Sequence, residues 1–436
     1  MTATRAPLRT RLGAAFSPRR NLRHLWSPNA GHLRAIDGLR ALSILWVVLF
    51  HAGWYSYLNV PKRTYFELLR SRWMLPVWRG DFGVDMFFVL SGFLIAGLLL
   101  DERAHNGRVR VRLFYLRRLM RLWPALAVAV VIDLVLFHDR PEMAWPNLLY
   151  VSNFVPLAHT VMPWTWSLAI EEQFYLLAPW LVLALAVRRA RAQLAVVATA
   201  AAALCCVAAA VVVRGGFHAD AAEIVITRSL AQWVPAFEHL YIKPWMRAGP
   251  LLAGVGAAFV YRTPGALAAI ARARWASAIG FALAVALAVA CTHWPLVAGA
   301  PRAVEVAYVA SFRTLFGAAV AAVALLSLSG HPIGRVLGRV LSVPALAPFA
   351  QLAYSAYLLN PIVATMTHRL LVPYIKRVVS PMVLYVACDV PLTFAAALAL
   401  YLFVERPLME LRPRVPREAG VGSGGWGEER RAFGDQ

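Results

Sequence analysis

Apolar stretches of about 20 residues recur along the whole chain, and each is long enough to cross the roughly 30 Å hydrocarbon core of a bilayer as a helix. Composition agrees. The 436 residues are 60% apolar and 15% charged, against about 45–50% and about 25% in soluble domains. A soluble enzyme is excluded. So is a β-barrel, whose segments would be about 10 residues of alternating polarity. The pattern defines an all-α, polytopic transmembrane helical bundle of about ten helices, expected at 36–57, 83–100, 122–137, 166–187, 194–213, 247–261, 275–291, 303–328, 345–366 and 382–404.

The net charge of +22 would suit nucleic acid if it were clustered on one soluble face, but the cations sit in short segments between apolar spans, so no nucleic-acid partner is expected. Read as a topology signal, 28 of the 44 Lys and Arg fall in segments that a cytoplasmic N-terminus would place inside, and 13 fall outside. Arg40, Arg247 and Arg313 lie within helices. The bias predicts both termini in the cytoplasm; the segment 53–82, with five cations on the outer side, runs against it. The organisation expected is a basic cytoplasmic segment at 1–34, an uncleaved membrane domain at 35–410, and a glycine-rich disordered cytoplasmic tail at 411–436, with no further soluble domain. The Ala- and Val-rich stretch 182–213 is expected at the bundle periphery. Cys205, Cys206, Cys291 and Cys388 fall in apolar spans without a CxxC pair and read as small buried hydrophobes, and no His/Cys cluster offers a metal site.

Ionisable groups inside spans cost roughly 2.5–3.5 kcal/mol each at a helix centre, so they point to function. The first span carries Asp37, Arg40 and His51. Asp37 and Arg40 are three residues apart and share a face. Arg40 and His51 are almost three whole turns apart, about 16 Å along the same stripe. An interfacial anchor with a satisfied histidine is the bland alternative for this stripe. The fourth span opens Trp166-Ser167-Leu168-Ala169-Ile170-Glu171-Glu172-Gln173-Phe174-Tyr175, and two adjacent carboxyls cannot both face lipid. Glu171 shares a face with Ser167 and Tyr175. Before the third span, Arg118 and Arg121 stand one turn apart ahead of Pro124, a spacing suited to holding phosphate oxygens. The same residues would also serve topology alone. Asp85 opens the second span, where Ser91-Gly92 permits close helix contact.

Together, Asp37-Gly38-Leu39-Arg40 with His51, Gly83-Val84-Asp85 leading to Phe88-Val89-Leu90-Ser91-Gly92-Phe93, Arg118/Arg121/Pro124, and Trp166-Ser167-Leu168 with Glu171-Glu172-Gln173-Phe174-Tyr175 resemble the acyltransferase-3 family of integral-membrane O-acyltransferases. Arg247 with Gly254, Tyr354-Ser355-Ala356-Tyr357 and Glu405-Arg406-Pro407 extend the resemblance over nearly the whole chain. It implies acyl-CoA, acetyl-CoA by default, as cytoplasmic donor and a hydroxyl of a cell-surface glycan or glycolipid as acceptor, in a bacterial cytoplasmic membrane. It also implies that Arg40, His51, Arg118 and Arg121 are essential, with Glu171 preferred over Glu172 and Arg247 among the donor-binding cations. One departure stands at Leu358-Leu359-Asn360-Pro361, where many relatives carry His; Asn360 cannot titrate. Some members also carry an extracytoplasmic esterase-like domain, which this sequence does not show.

These residues predict acyl transfer across the bilayer. Arg118 and Arg121 hold the nucleotide end of the donor, Arg40 guides its arm, and Asp37 orients Arg40. His51 serves either as general base on the acceptor hydroxyl or as transient acyl carrier. Glu171 either orients the imidazole or binds sugar hydroxyls. The rival reading is a transporter of a glycan-linked or small anionic solute, since intramembrane Arg, Asp and His also mark transport pathways; no internal repeat of that kind is visible.

Overall fold

The computed structural model describes residues 8–26, 33–56, 79–137, 140–218, 230–292, 300–371 and 381–413. Among them there is no strand. Two short helices, α1 (Leu8–Ala15) and α2 (Pro18–His24), precede α3 (Arg34–Ser56), α4 (Phe82–Asn106), α5 (Val111–Phe137), α6 (Trp166–Ala186) and α7 (Ala190–Arg214). Then follow α8 (Pro244–Arg262), α9 (Ala266–Arg272), α10 (Arg274–Thr292), α11 (Arg302–Ser327), α12 (Pro332–Leu341), α13 (Ala347–Leu371) and α14 (Pro381–Leu400). Among the described residues, eight helices are long and apolar enough to cross a membrane. The count rises to ten if α8 with α9, bent by 89°, and α12 with α13, bent by 50°, each make one span.

The third expected helix differs most. It was to start at 122, after a basic loop, but α5 runs unbroken from Val111 and carries Arg117, Arg118, Arg121 and Pro124 inside it. The Leu, Arg and Met residues before Pro124 are good helix formers. A proline frees only one carbonyl, which a membrane helix tolerates when neighbours cover it. The last span also continues past its expected end, through a π turn at Tyr401–Glu405 into a helix at Arg406–Leu411.

The bundle centre is built on α3, α4, α8, α11 and α13. The most apolar stretch of α4 is 72% buried, against 17% for α7 and α10, so the latter two face lipid, as expected for the Ala/Val-rich segment. The cysteines divide accordingly. Cys291 is buried, Cys205 and Cys388 are half-buried, and Cys206 is exposed on α7, which corrects the expectation that all four are interior. The apolar environment of a span is lipid as readily as protein.

A close crossing joins α4 to α8. A Cβ at Gly92 would strike the Leu251 carbonyl oxygen, and one at Gly254 would strike that of Val89. In a bilayer, where lipid tails are as apolar as leucine, such backbone proximity is a main source of helix association. Replacing Gly254 with Leu is expected to force α4 and α8 apart at a cost of about 1–3 kcal/mol, read as a lower midpoint of thermal unfolding in detergent. An unchanged midpoint would remove this crossing from the core.

Candidate functional site

Two polar clusters lie inside the bundle. The first gathers side chains of α3, α5, α6 and the turn after α14. Arg40 lies near Arg121, with Asp37, Glu405 and Glu171 beside it. Arg118 lies near Arg121, Glu172 and Arg117 and stacks over the Phe114 and Tyr175 rings, 5.8 and 5.7 Å from their centroids. The chain's last described turn closes this group. The π turn directs the buried Glu405 onto the Ser355 hydroxyl, which donates to it at 2.7 Å, and brings Arg406 and Arg412 alongside. Burial, then Arg121, Arg117, Arg118 and Arg406, hold the Arg412 guanidinium down at about 10. Arg412 thus stands, largely buried, among four other guanidiniums. Arg121 Nε is buried without a hydrogen-bond partner. The arrangement suits a multiply charged anion.

Further along the stripe, Glu171 accepts short hydrogen bonds from Ser91 and Tyr175. The expected sharing of a face by Glu171 and Tyr175 is therefore an actual contact. Ser167 instead bonds the Tyr357 hydroxyl, which donates to the Trp164 carbonyl at 2.7 Å. Glu172, turned the other way, keeps a buried oxygen without a partner.

Tyr150 reaches Glu172 from the segment between α5 and α6. It is the only non-glycine with positive φ among the described residues, at 56°, a conformation costing about 1–2 kcal/mol. The surroundings enforce it. Its N–H donates to the Asn147 carbonyl at 3.2 Å and Gln173 Nε2 donates to its carbonyl at 3.0 Å. Asn147 is itself held by the Met162 carbonyl and the Thr165 hydroxyl, both at 2.8 Å. Burial, and then Glu172, push the Tyr150 phenol up, so it stays protonated, and its hydroxyl has no partner. Nothing in the sequence signals this residue, because a tyrosine in a left-handed turn leaves no pattern.

His51 lies one further step out. Its nearest polar groups are the Val47 carbonyl, one turn back on α3, and the side chain of Asn360 on α13. His51 Nδ1 and Asn360 Oδ1 are both buried without closed hydrogen bonds.

The second cluster joins α4, α8 and α11. Arg247 Nη1 donates to both oxygens of Asp85, at 2.8 and 3.0 Å. Arg313 donates to Asp85 and, at 2.6 Å, to Asp81, and Arg79 Nε donates to Asp81 at 3.0 Å. Burial alone would raise the Asp81 carboxyl; Arg79 and Arg313 outweigh it and hold it at about 2. The Arg247 guanidinium lies 3.8 Å from the Tyr241 centroid and 4.6 Å from that of Trp166. Arg247, expected among the donor-binding cations, thus sits in this ion network with Asp85, while Arg40, Arg118 and Arg121 gather in the other cluster. Asp85 is a fully buried counter-ion, where the sequence suggested only an acid at a span's edge. Arg313 was recognisable as a cation within a span but not as the bridge between two aspartates.

These features define a multi-pass membrane protein with a polar stripe through its centre. The chain belongs to the acyltransferase-3 family, whose profile, described as an acyltransferase domain, matches residues 33–402. Among curated proteins it is 36% identical over 170 residues to the peptidoglycan O-acetyltransferase OatA of Listeria monocytogenes, covering 34% of this chain and 24% of that one. It is 32% identical over 179 residues to the O-acetyltransferase OatA of Staphylococcus aureus, covering 37% and 26%. The chain thus spans about a quarter of the length of these relatives. No solved structure matches it.

Removing the Asp85 carboxylate strands Arg247 in the interior and leaves Arg313 with Asp81 alone. Asp85→Ala is expected to cost about 3–5 kcal/mol and to yield little folded protein after detergent extraction. Wild-type yield and unfolding temperature would deny the network its structural role.

Proposed function

We propose that the protein is a bacterial cytoplasmic-membrane O-acyltransferase that moves an acyl group, acetyl in the simplest case, from cytoplasmic acyl-CoA to a hydroxyl of a cell-envelope glycan such as peptidoglycan. The observation that carries this reading is the polar stripe along α3, with a cluster of guanidiniums at one end and His51 about 16 Å away at the other. Family membership and the OatA relatives support the reaction class and the carbohydrate acceptor.

In this reading the arginine end faces the cytoplasm. Arg118, Arg121 and Arg412 hold the donor's phosphates, and Arg40, oriented by Asp37, steers the pantetheine arm along the stripe towards His51. The imidazole takes the proton of the acceptor hydroxyl. The oxygen forms its bond to the thioester carbonyl carbon, the C–S bond breaks, and the thiolate leaves with the proton that the imidazolium returns. Atoms and charge balance without a further reactant. Glu171, already bonded to Ser91 and Tyr175, holds a hydroxyl network beside this path. Arg247 contributes through the shape of the outer half of the bundle, since its charge is taken up by Asp85.

The test is transfer of label from radiolabelled acetyl-CoA to envelope glycan in membranes. His51→Ala is expected to abolish transfer at normal protein level; retained transfer would end the catalytic assignment. Arg412→Ala and Arg121→Ala are each expected to raise the KM for acetyl-CoA about tenfold, the loss of one charge-assisted contact, with the acceptor KM unchanged. Unchanged donor KM in both would return these arginines to topology.

A further inference from the structure

Pro361 lies inside α13 and has no N–H to give, so the carbonyl one turn back, that of Tyr357, loses its helical partner. In a membrane such a carbonyl must be satisfied within the protein. Asn360 does this. Its Nδ2 donates to the Tyr357 carbonyl at 2.8 Å and to the Ala356 carbonyl at 3.0 Å. Both neighbours are acceptors only, so the amide has one possible orientation, with the NH2 on the helix backbone and Oδ1 turned away from it. That oxygen is buried, has no bonded partner, and belongs to the side chain that stands beside the His51 ring. Asn360 itself is 1% exposed. An unfilled buried acceptor costs roughly 1–3 kcal/mol, and the imidazole beside it is able to donate. The other neighbour of the ring, the Val47 carbonyl, is also an acceptor.

We propose that Asn360 is the positioning residue for His51: its Oδ1 accepts the imidazole N–H and so leaves the opposite ring nitrogen bare for the acceptor hydroxyl. This rests on the reading of His51 as the base. Two acceptors set the orientation: the amide donates to the Tyr357 and Ala356 carbonyls at once, and the Ala356 contact persists when a backbone N–H takes over the Tyr357 carbonyl. The contact strengthens when the ring takes a proton, because an N–H to a fixed carbonyl-type oxygen is stronger from imidazolium than from imidazole. The loss of a titratable group at this position is no obstacle, since the task needs a fixed acceptor and no proton store.

Asn360 performs two tasks, and a pair of backgrounds separates them. Pro361→Ala restores a backbone N–H to the Tyr357 carbonyl, so in that background the amide is no longer needed by the helix. Pro361→Ala alone is expected to keep transfer within about twofold of wild type. Adding Asn360→Leu to Pro361→Ala is expected to lower kcat by about tenfold or more, with the KM for acetyl-CoA and the unfolding temperature unchanged. Adding Asn360→Asp, which keeps an acceptor oxygen, should recover most of the lost kcat. Equal kcat for Pro361→Ala with and without Asn360→Leu would overturn the proposal, as would failure of Asp to recover more than Leu. Both results leave the reading of His51 standing. If instead His51→Ala transfers acetyl at the wild-type rate, that reading fails and this proposal fails with it.

Discussion

The structure depends on the pairing of Asp85 with Arg247 and Arg313. An unpaired charge at this depth is not tolerated, because the surrounding medium offers no water to solvate it. Pairing converts the penalty into a constraint: α4, α8 and α11 hold one position relative to one another because only there are the carboxylates and guanidiniums within reach. The glycines at the α4–α8 crossing let the backbones come close enough for it. The two features act together, and the cluster is as much a registration device as a source of stability.

With that frame fixed, the other polar group has a different character. Its guanidiniums come from α3, α5 and the turn after α14, and they stand beside one another as well as beside the carboxyls of Asp37, Glu171, Glu172 and Glu405. The contrast separates the arginines by neighbourhood. Around Asp81 and Asp85 every guanidinium bonds a carboxylate, and the arrangement is a strut. Arg247 and Arg40 look alike in the sequence, as single cations within spans, and only their neighbours distinguish them.

Much of the fold was legible because the bilayer writes its demand into length and apolarity, which need no knowledge of partners. The stripe of Arg40 and His51 was legible for a related reason: helical periodicity fixes relative position on one element. What could not be read was contact between elements. Asp85 with Arg313 spans 228 residues, and no spacing rule connects them. The start of α5 was misplaced because arginines were taken as loop and Pro124 as a boundary. Those arginines are helical in their first turns and reach the protein's own polar group. Arg412 was assigned to a tail, and its placement follows from a π turn that has no sequence signature. Tyr150 was invisible because its conformation is imposed from outside, by Asn147 and Gln173.

The short helix α12 has a further consequence. Arg335 and Arg339 stand exposed beside the exposed Val336 and Val340, one pair suited to headgroups and the other to acyl chains. At its end, Leu341 abuts Gly38 so tightly that a methyl group on Gly38 would collide with the Leu341 backbone. Gly38 is two residues from Arg40. The turn of α3 that carries Arg40 is therefore fixed against α12, whose outward face pairs cations with apolar side chains.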